Sequence, residues 1–144
     1  MKDIAVVGAG GFGREVKMLI DQINAQSKKY NFIGYYDDGI PPETLVNGYP
    51  VLGGIDQLNE VKREILVVLA IGLPSLKKRL LDKVKNTFIK YPILIHPNVI
   101  IGADQVDIGS KSVICAGNII TVNISIGKHV ILNLGCVQWD TIQK

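Results

Sequence analysis

Between Ile108 and Val137 the chain repeats in sixes: IGSKSV, ICAGNI, ITVNIS, IGKHVI, LNLGCV. An aliphatic residue opens each block, at Ile108, Ile114, Ile120, Ile126 and Leu132. A second column of small or apolar residues runs through Val106, Ser112, Asn118, Ile124, Val130 and Cys136. A helical face recurs every ~3.6 residues and a half-buried strand every two or so, and a step of six matches neither. It matches a triangular β-solenoid with one flat side per block and the leading aliphatic stacked inside. The next block, QWDTIQ, puts Gln138 where Ile, Leu or Val is required.

The part before the hexads has a different grammar. Residues 3–8 (DIAVVG) form a short apolar run, the mark of a buried parallel strand. Val16, Leu19, Ile20 and Ile23 then recur at helical spacing. Residues 31–36 (NFIGYY) make a second strand, and the Pro- and Gly-rich residues 40–53 a loop with at most one short strand at 50–52. IDQLNEV gives a helical turn or two, and residues 65–71 (ILVVLAI) a third strand. Pro74 and Ser75 open an amphipathic helix with Leu76, Leu80, Leu81 and Val84 inward. Residues 88–95 (FIKYPILI) extend once more, with Pro92 marking an edge or an exit. The order β-α-β-loop-β-α-β predicts a small Rossmann-like parallel sheet. The fold class is therefore α/β: this sheet over residues 1–92, then a short parallel β-helix over 93–144.

Gly8-x-Gly10-x-x-Gly13 lies between the first strand and the first helix, the setting a dinucleotide-type fingerprint requires. Gly8 permits the tight turn, Gly10 lets backbone approach a phosphate, and Gly13 lets helix and strand pack closely. The free N–H groups of the helix start favour an anion. Asp37, 24 residues after Gly13, ends the second strand, where a carboxylate reaches ribose hydroxyls. A glycine turn without a ligand is the plainer alternative; strand, helix and acidic partner together favour a phosphate-bearing ligand. A half-sized sheet followed by a solenoid points to a mononucleotide or nucleotide-sugar rather than NAD.

Composition removes several classes. At 47% hydrophobic and 20% charged the chain is foldable, not disordered. Its net charge of +3 comes largely from the basic run 77–85, the solvated face of a helix, and the tyrosines are not interleaved with cations as in a nucleic-acid surface. No apolar run reaches transmembrane length, so no membrane insertion is expected. Cys115 and Cys136 fit neither a disulfide framework nor a metal spacing and act as small fillers, consistent with a reducing cytoplasm.

In order and spacing, GAGGFGREV, GYYDDG, VLAIG, IHP and the hexads resemble the bacterial sugar acyltransferases of the sialic acid O-acetyltransferase and bacillosamine-pathway N-acetyltransferase type. The resemblance covers essentially the whole chain. It implies a nucleotide-sugar, UDP-linked, held by the N-terminal domain, and a left-handed β-helix that assembles as a homotrimer. It also implies acetyl-CoA bound between neighbouring β-helices and acetyl transfer to a sugar amine or hydroxyl. Carried over by position, Gly8, Gly10, Gly11 and Gly13 are the phosphate-facing loop. Asp37 and Asp38 are the acidic pair beside the uridine, and Ile71 and Gly72 the turn lining the sugar. The general base of such enzymes is a His in an Ile-Gly-His-Asp block; the matching stretch Cys136–Thr141 holds none. Relatives of this type continue for further coils, so the chain is expected to be the front part of one, or else a nucleotide-sugar-binding and trimerising module without catalysis.

His129 is the one candidate for a substitute base; its plainer placement is a surface or interface position on a coil. His96, before Pro97, is expected to hydrogen-bond backbone at the domain junction, and neither histidine has a metal-ligand partner at useful spacing. Asn118, Asn123 and Asn133 are expected at solenoid corners or in interior ladders, and Trp139 as a plug over an open coil end.

Overall fold

The computed structural model describes residues 1–132 and the backbone of Val137 and Gln138. It forms two compact units, the first made of residues 1–20 and 28–91, the second running from Pro92 and taking in 21–27.

The first unit is built on β1 (Lys2–Val7), α1 (Gly11–Gln26), β2 (Tyr30–Tyr36), β3 (Leu45–Val46), β4 (Tyr49–Gly53), α2 (Ile55–Leu58), β5 (Ile65–Leu69), α3 (Pro74–Lys83) and β6 (Ile89–Lys90). The six strands form one sheet in the order β3-β4-β2-β1-β5-β6. All pairs are parallel except β3 with β4. β1 is central, and the chain goes first to one side of it and then to the other. The ends of β1 and its neighbours thus form a topological switch point, where open α/β sheets hold ligands. Ala5 and Val7 share a buried cluster with Ile55 and Leu58 of α2 and Leu80 of α3. The opposite face of β1 meets α1: a Cβ on Gly13 would lie 3.6 Å from Val6 Cγ1.

Residues 40–53 hold two strands where the sequence suggested at most one. The signal was Asn47-Gly48, whose φ angles of 48° and 87° turn Val46 back onto Tyr49 as a hairpin. On α3, Leu80 alone among the four expected residues is buried, while Leu76, Leu81 and Val84 pack partly against the core.

The second unit is a parallel β-helix with β7 (Leu94–Ile95), β8 (Ile100–Ile101), β9 (Val106–Ile108), β10 (Val113–Ile114), β11 (Ile119–Ile120), β12 (Ile124–Ile126), β13 (Ile131–Leu132) and β14 (Val137–Gln138). Its three sides are the ladders β13-β10-β7, β14-β11-β8 and β12-β9. Ile114, Ile120, Ile126 and Leu132 are buried in its core, with Ile108 packed against them, as the hexads require. Val106 pairs with Ile124 and Val113 with Ile131, eighteen residues per coil. Leu94 pairs with Val113 and Ile100 with Ile119, nineteen apart, because the turn between Ile101 and Ile108 holds one extra residue. The segment 88–95 is accordingly not one extended piece: β6 completes the sheet and β7 starts the coils. Gln138 pairs with Ile120, so the backbone register continues through it.

Two buried polar side chains tie coil to coil. Ser112 Oγ donates to the Gly127 carbonyl at 2.8 Å and accepts from Val130 N–H at 3.2 Å. Asn118 Nδ2 donates to the Cys115 carbonyl at 2.8 Å and, across to the next coil, to the Leu132 carbonyl at 3.4 Å. Asn123 turns a corner at φ 56°, and Gln105, Lys111 and His129 do the same at 56°, 67° and 54°. Cys115 is buried, as expected of a filler. Asn133, Cys136 and Trp139 lie outside the described residues.

Candidate functional site

The glycine loop begins where β1 ends. Gly8 N–H donates to the Tyr36 carbonyl at 2.8 Å and Ala70 N–H to the Val7 carbonyl at 2.9 Å, so β2, β1 and β5 finish level. Gly8 has φ 100°, and a Cβ there would stand 3.0 Å from the Ala70 carbonyl and 3.3 Å from Ile71 Cδ1. Ile71 therefore borders the loop from the β5 side. A Cβ on Gly13 would collide with the Gly8 carbonyl, which forces glycine where α1 seats on the strand end. Gly10 and Gly72 face open space, and Gly11 has only Arg14 Nη2 near it, at 3.8 Å. The four loop glycines thus divide into two that are packed and two that are open to an incoming group.

Asp37 organises this loop. Its Oδ2 accepts from Ala9 N–H at 2.9 Å and its Oδ1 from Gly39 N–H at 2.8 Å. Each oxygen keeps further acceptor capacity. Asp38 serves another element: its Oδ1 accepts from Ile55 N–H at 2.9 Å at the start of α2. A side chain on Gly54 would collide with that same oxygen. The structure thus brings Gly8, Gly10, Gly11, Gly13, Asp37 and Ile71 to one place. Asp38 is turned toward α2.

Arg14 was not singled out from the sequence. Its N–H and Nε both donate to the Gly10 carbonyl, at 3.1 and 3.4 Å, which folds the guanidinium along the loop. The first turn of α1 contains no acidic residue. A cation there opposes the helix dipole, and that mismatch was the available signal.

In the β-helix, His129 is a half-buried corner residue whose N–H donates to the Ser110 carbonyl at 3.1 Å. His96 Nδ1 accepts from Asn98 N–H at 3.0 Å, the backbone bond expected of it. Asn98 Oδ1 in turn accepts from Gly117 N–H at 3.0 Å, tying the first turn to the next coil. Among the described residues no cluster of His, Cys, Asp and Glu could hold a metal ion. Among them, too, no helix is long and apolar enough to cross a membrane.

A Rossmann-like unit with an open glycine loop, followed by a parallel β-helix, is the architecture of bacterial sugar acetyltransferases. Residues 3–84 match the PglD N-terminal domain, and the chain belongs to that family. It is 34% identical over 123 residues to the UDP-N-acetylbacillosamine N-acetyltransferase of Bacillus subtilis (strain 168), covering 81% of this chain and 52% of that enzyme. The chain thus spans about half the length of this curated relative. Among solved structures, WeeI from Acinetobacter baumannii AYE superposes with TM-score 0.80 at 31% identity, over 95% of this chain and 63% of that one. PerB from Caulobacter crescentus, solved with CoA and GDP-perosamine, gives TM-score 0.72 at 25% identity, over 98% and 64%.

Proposed function

We propose that residues 1–92 bind a nucleotide-linked sugar, UDP-linked and amino-substituted, with its diphosphate on the glycine loop. In the same reading residues 93–144 form the β-helical part of an acetyl-CoA-dependent acetyltransferase. The observation that carries it is the Asp37 carboxylate, which fixes the loop through Ala9 N–H and leaves Gly10 and Gly11 open. A diphosphate there meets the α1 N-terminus and the Arg14 guanidinium, and so offsets the misplaced first-turn cation. Ile71 and Gly72 then line the sugar, Asp37 faces the nucleoside, and Asp38 acts through the α2 cap.

Homotrimer assembly is part of the reading. The outer face of β8 and β11 carries Ile100 at 62% and Ile119 at 36% exposure, with Ala103, Gly117 and Val122 exposed around them. Residues 112–127 contain no charged side chain. An uncharged aliphatic ladder suits another copy of itself. Acetyl-CoA would lie between copies, and PerB solved with CoA supports it as the acyl carrier.

A second reading is favoured by one observation. The only histidines are His96 and His129, and none falls at 138–141. Binding and assembly without transfer by this chain accord with that. Calorimetry with UDP and with NAD tests the first reading: UDP binds more tightly, and Asp37→Ala weakens it about tenfold, the loss of roughly one charge-assisted contact network. Tighter binding of NAD would sink it. A thiol-release assay with acetyl-CoA and an amino-sugar nucleotide separates the two readings, with little turnover expected. Sedimentation reads the assembly, with three copies of the 15.7 kDa chain expected.

A further inference from the structure

A cavity of about 390 Å³ opens on the first unit, lined by Ile33, Tyr36, Val61, Lys62, Arg63 and Ile65. It lies on the sheet face opposite α1, among residues that pack with Ala5 and Val7. A β-bulge lies at its edge. The pairing of β1 with β2 steps from Ile4 opposite Phe32 to Ala5 opposite Gly34, which leaves Ile33 without a partner. Gly34 has φ 142°, and a Cβ there would lie 2.5 Å from the Pro50 carbonyl, so the position excludes any side chain. Ile33 and Tyr36 pack on one face, with Val61 and Ile65 beside them. Bulges of this kind cluster at ligand sites because they re-aim side chains.

The polar side chains of the lining can each donate: the Tyr36 hydroxyl, the Lys62 ammonium and the Arg63 guanidinium. Burial pushes the Tyr36 phenol up, with the Arg63 charge acting in the opposite sense, so the hydroxyl keeps its proton at neutral pH. Arg63 also pairs with Asp3. Glu60 and Glu64 flank the segment in sequence but do not line the cavity. An apolar floor beneath a rim of donors complements an anionic head on a compact apolar body.

We infer that this groove is a binding site for a small carboxylate with a one-ring apolar body. The ring lies over Ile33, Val61 and Ile65, and the carboxylate sits among Lys62, Arg63 and the Tyr36 hydroxyl. The inference is independent of the nucleotide reading. The test is amide-resolved NMR of the full chain titrated with benzoate. Saturable shifts should centre on residues 33, 36 and 61–65. Lys62→Gln, a surface change that leaves the fold intact, should weaken benzoate about fivefold. Benzyl alcohol, the neutral counterpart, should bind about tenfold more weakly, by loss of the charge-assisted contacts. Absence of saturation, equal binding of benzyl alcohol, or benzoate shifts centred on residues 8–13 would overturn the inference. UDP added to the same sample reports on residues 8–13 separately, so the two sites fail or succeed independently.

Discussion

Gly13 and Gly109 both exclude a side chain, and the difference between them separates the two units. A Cβ on Gly13 would enter the backbone of its own loop, at Gly8. A Cβ on Gly109 would enter the backbone of Gly127, one coil away. The first contact occurs once and creates a particular shape, a helix start seated on a strand end. The second has a counterpart at the neighbouring corner, where a Cβ on Gly102 would enter the backbone of Thr121. A sheet with crossover helices specifies a site by contacts used once; a solenoid gains stability by nearest-neighbour contacts that repeat.

Four substitutions bear on that contrast, in falling order of effect. Gly13→Ala should cost about 4 kcal/mol, because the collision is with backbone that cannot yield, and should abolish UDP binding with it. Denaturant unfolding with calorimetry measures both, and a folded Gly13→Ala chain that still binds UDP would remove the special status of the loop. Ile120→Ala empties a fully buried rung and should cost about 3 kcal/mol while leaving UDP affinity unchanged. An equal loss of UDP affinity would show that the units are not energetically separate. Ser112→Ala leaves the Val130 N–H without its acceptor and should cost about 1.5 kcal/mol; hydrogen exchange at Val130 should accelerate. Gln105→Gly relieves a left-handed corner and should stabilise by about 0.5 kcal/mol, read as a small rise in melting temperature.

What the sequence disclosed follows the same division. The hexads from Ile108 name their own core, because a repeated contact leaves a repeated letter. The first coil was placed from residue 93 but its register was hidden: one extra residue after Ile101 puts Ile95 and Ile101 out of step with Ile108. The glycine loop and Asp37 were legible because the backbone they require admits few residue types. Asp38 was not separable from its neighbour, since only the position of α2, settled by tertiary packing, decides which carboxylate caps it. The bulge at Ile33 was equally silent. Gly34 marks it only once Pro50 is known to lie against it.

The eighteen-residue coil also makes the second unit a measuring stick that can be cut and rejoined. A duplicated block from Ile108 to Ser125 would re-enter the ladder in phase, with Ser112 and the corner at Lys111 copied along with it. A block that is not a multiple of eighteen would turn the following sides out of register unless a turn absorbed the difference. Growth of such a chain is therefore quantised, and the spare residue after Ile101 shows that a turn, not a side, is where the count can slip while the ladders stay paired.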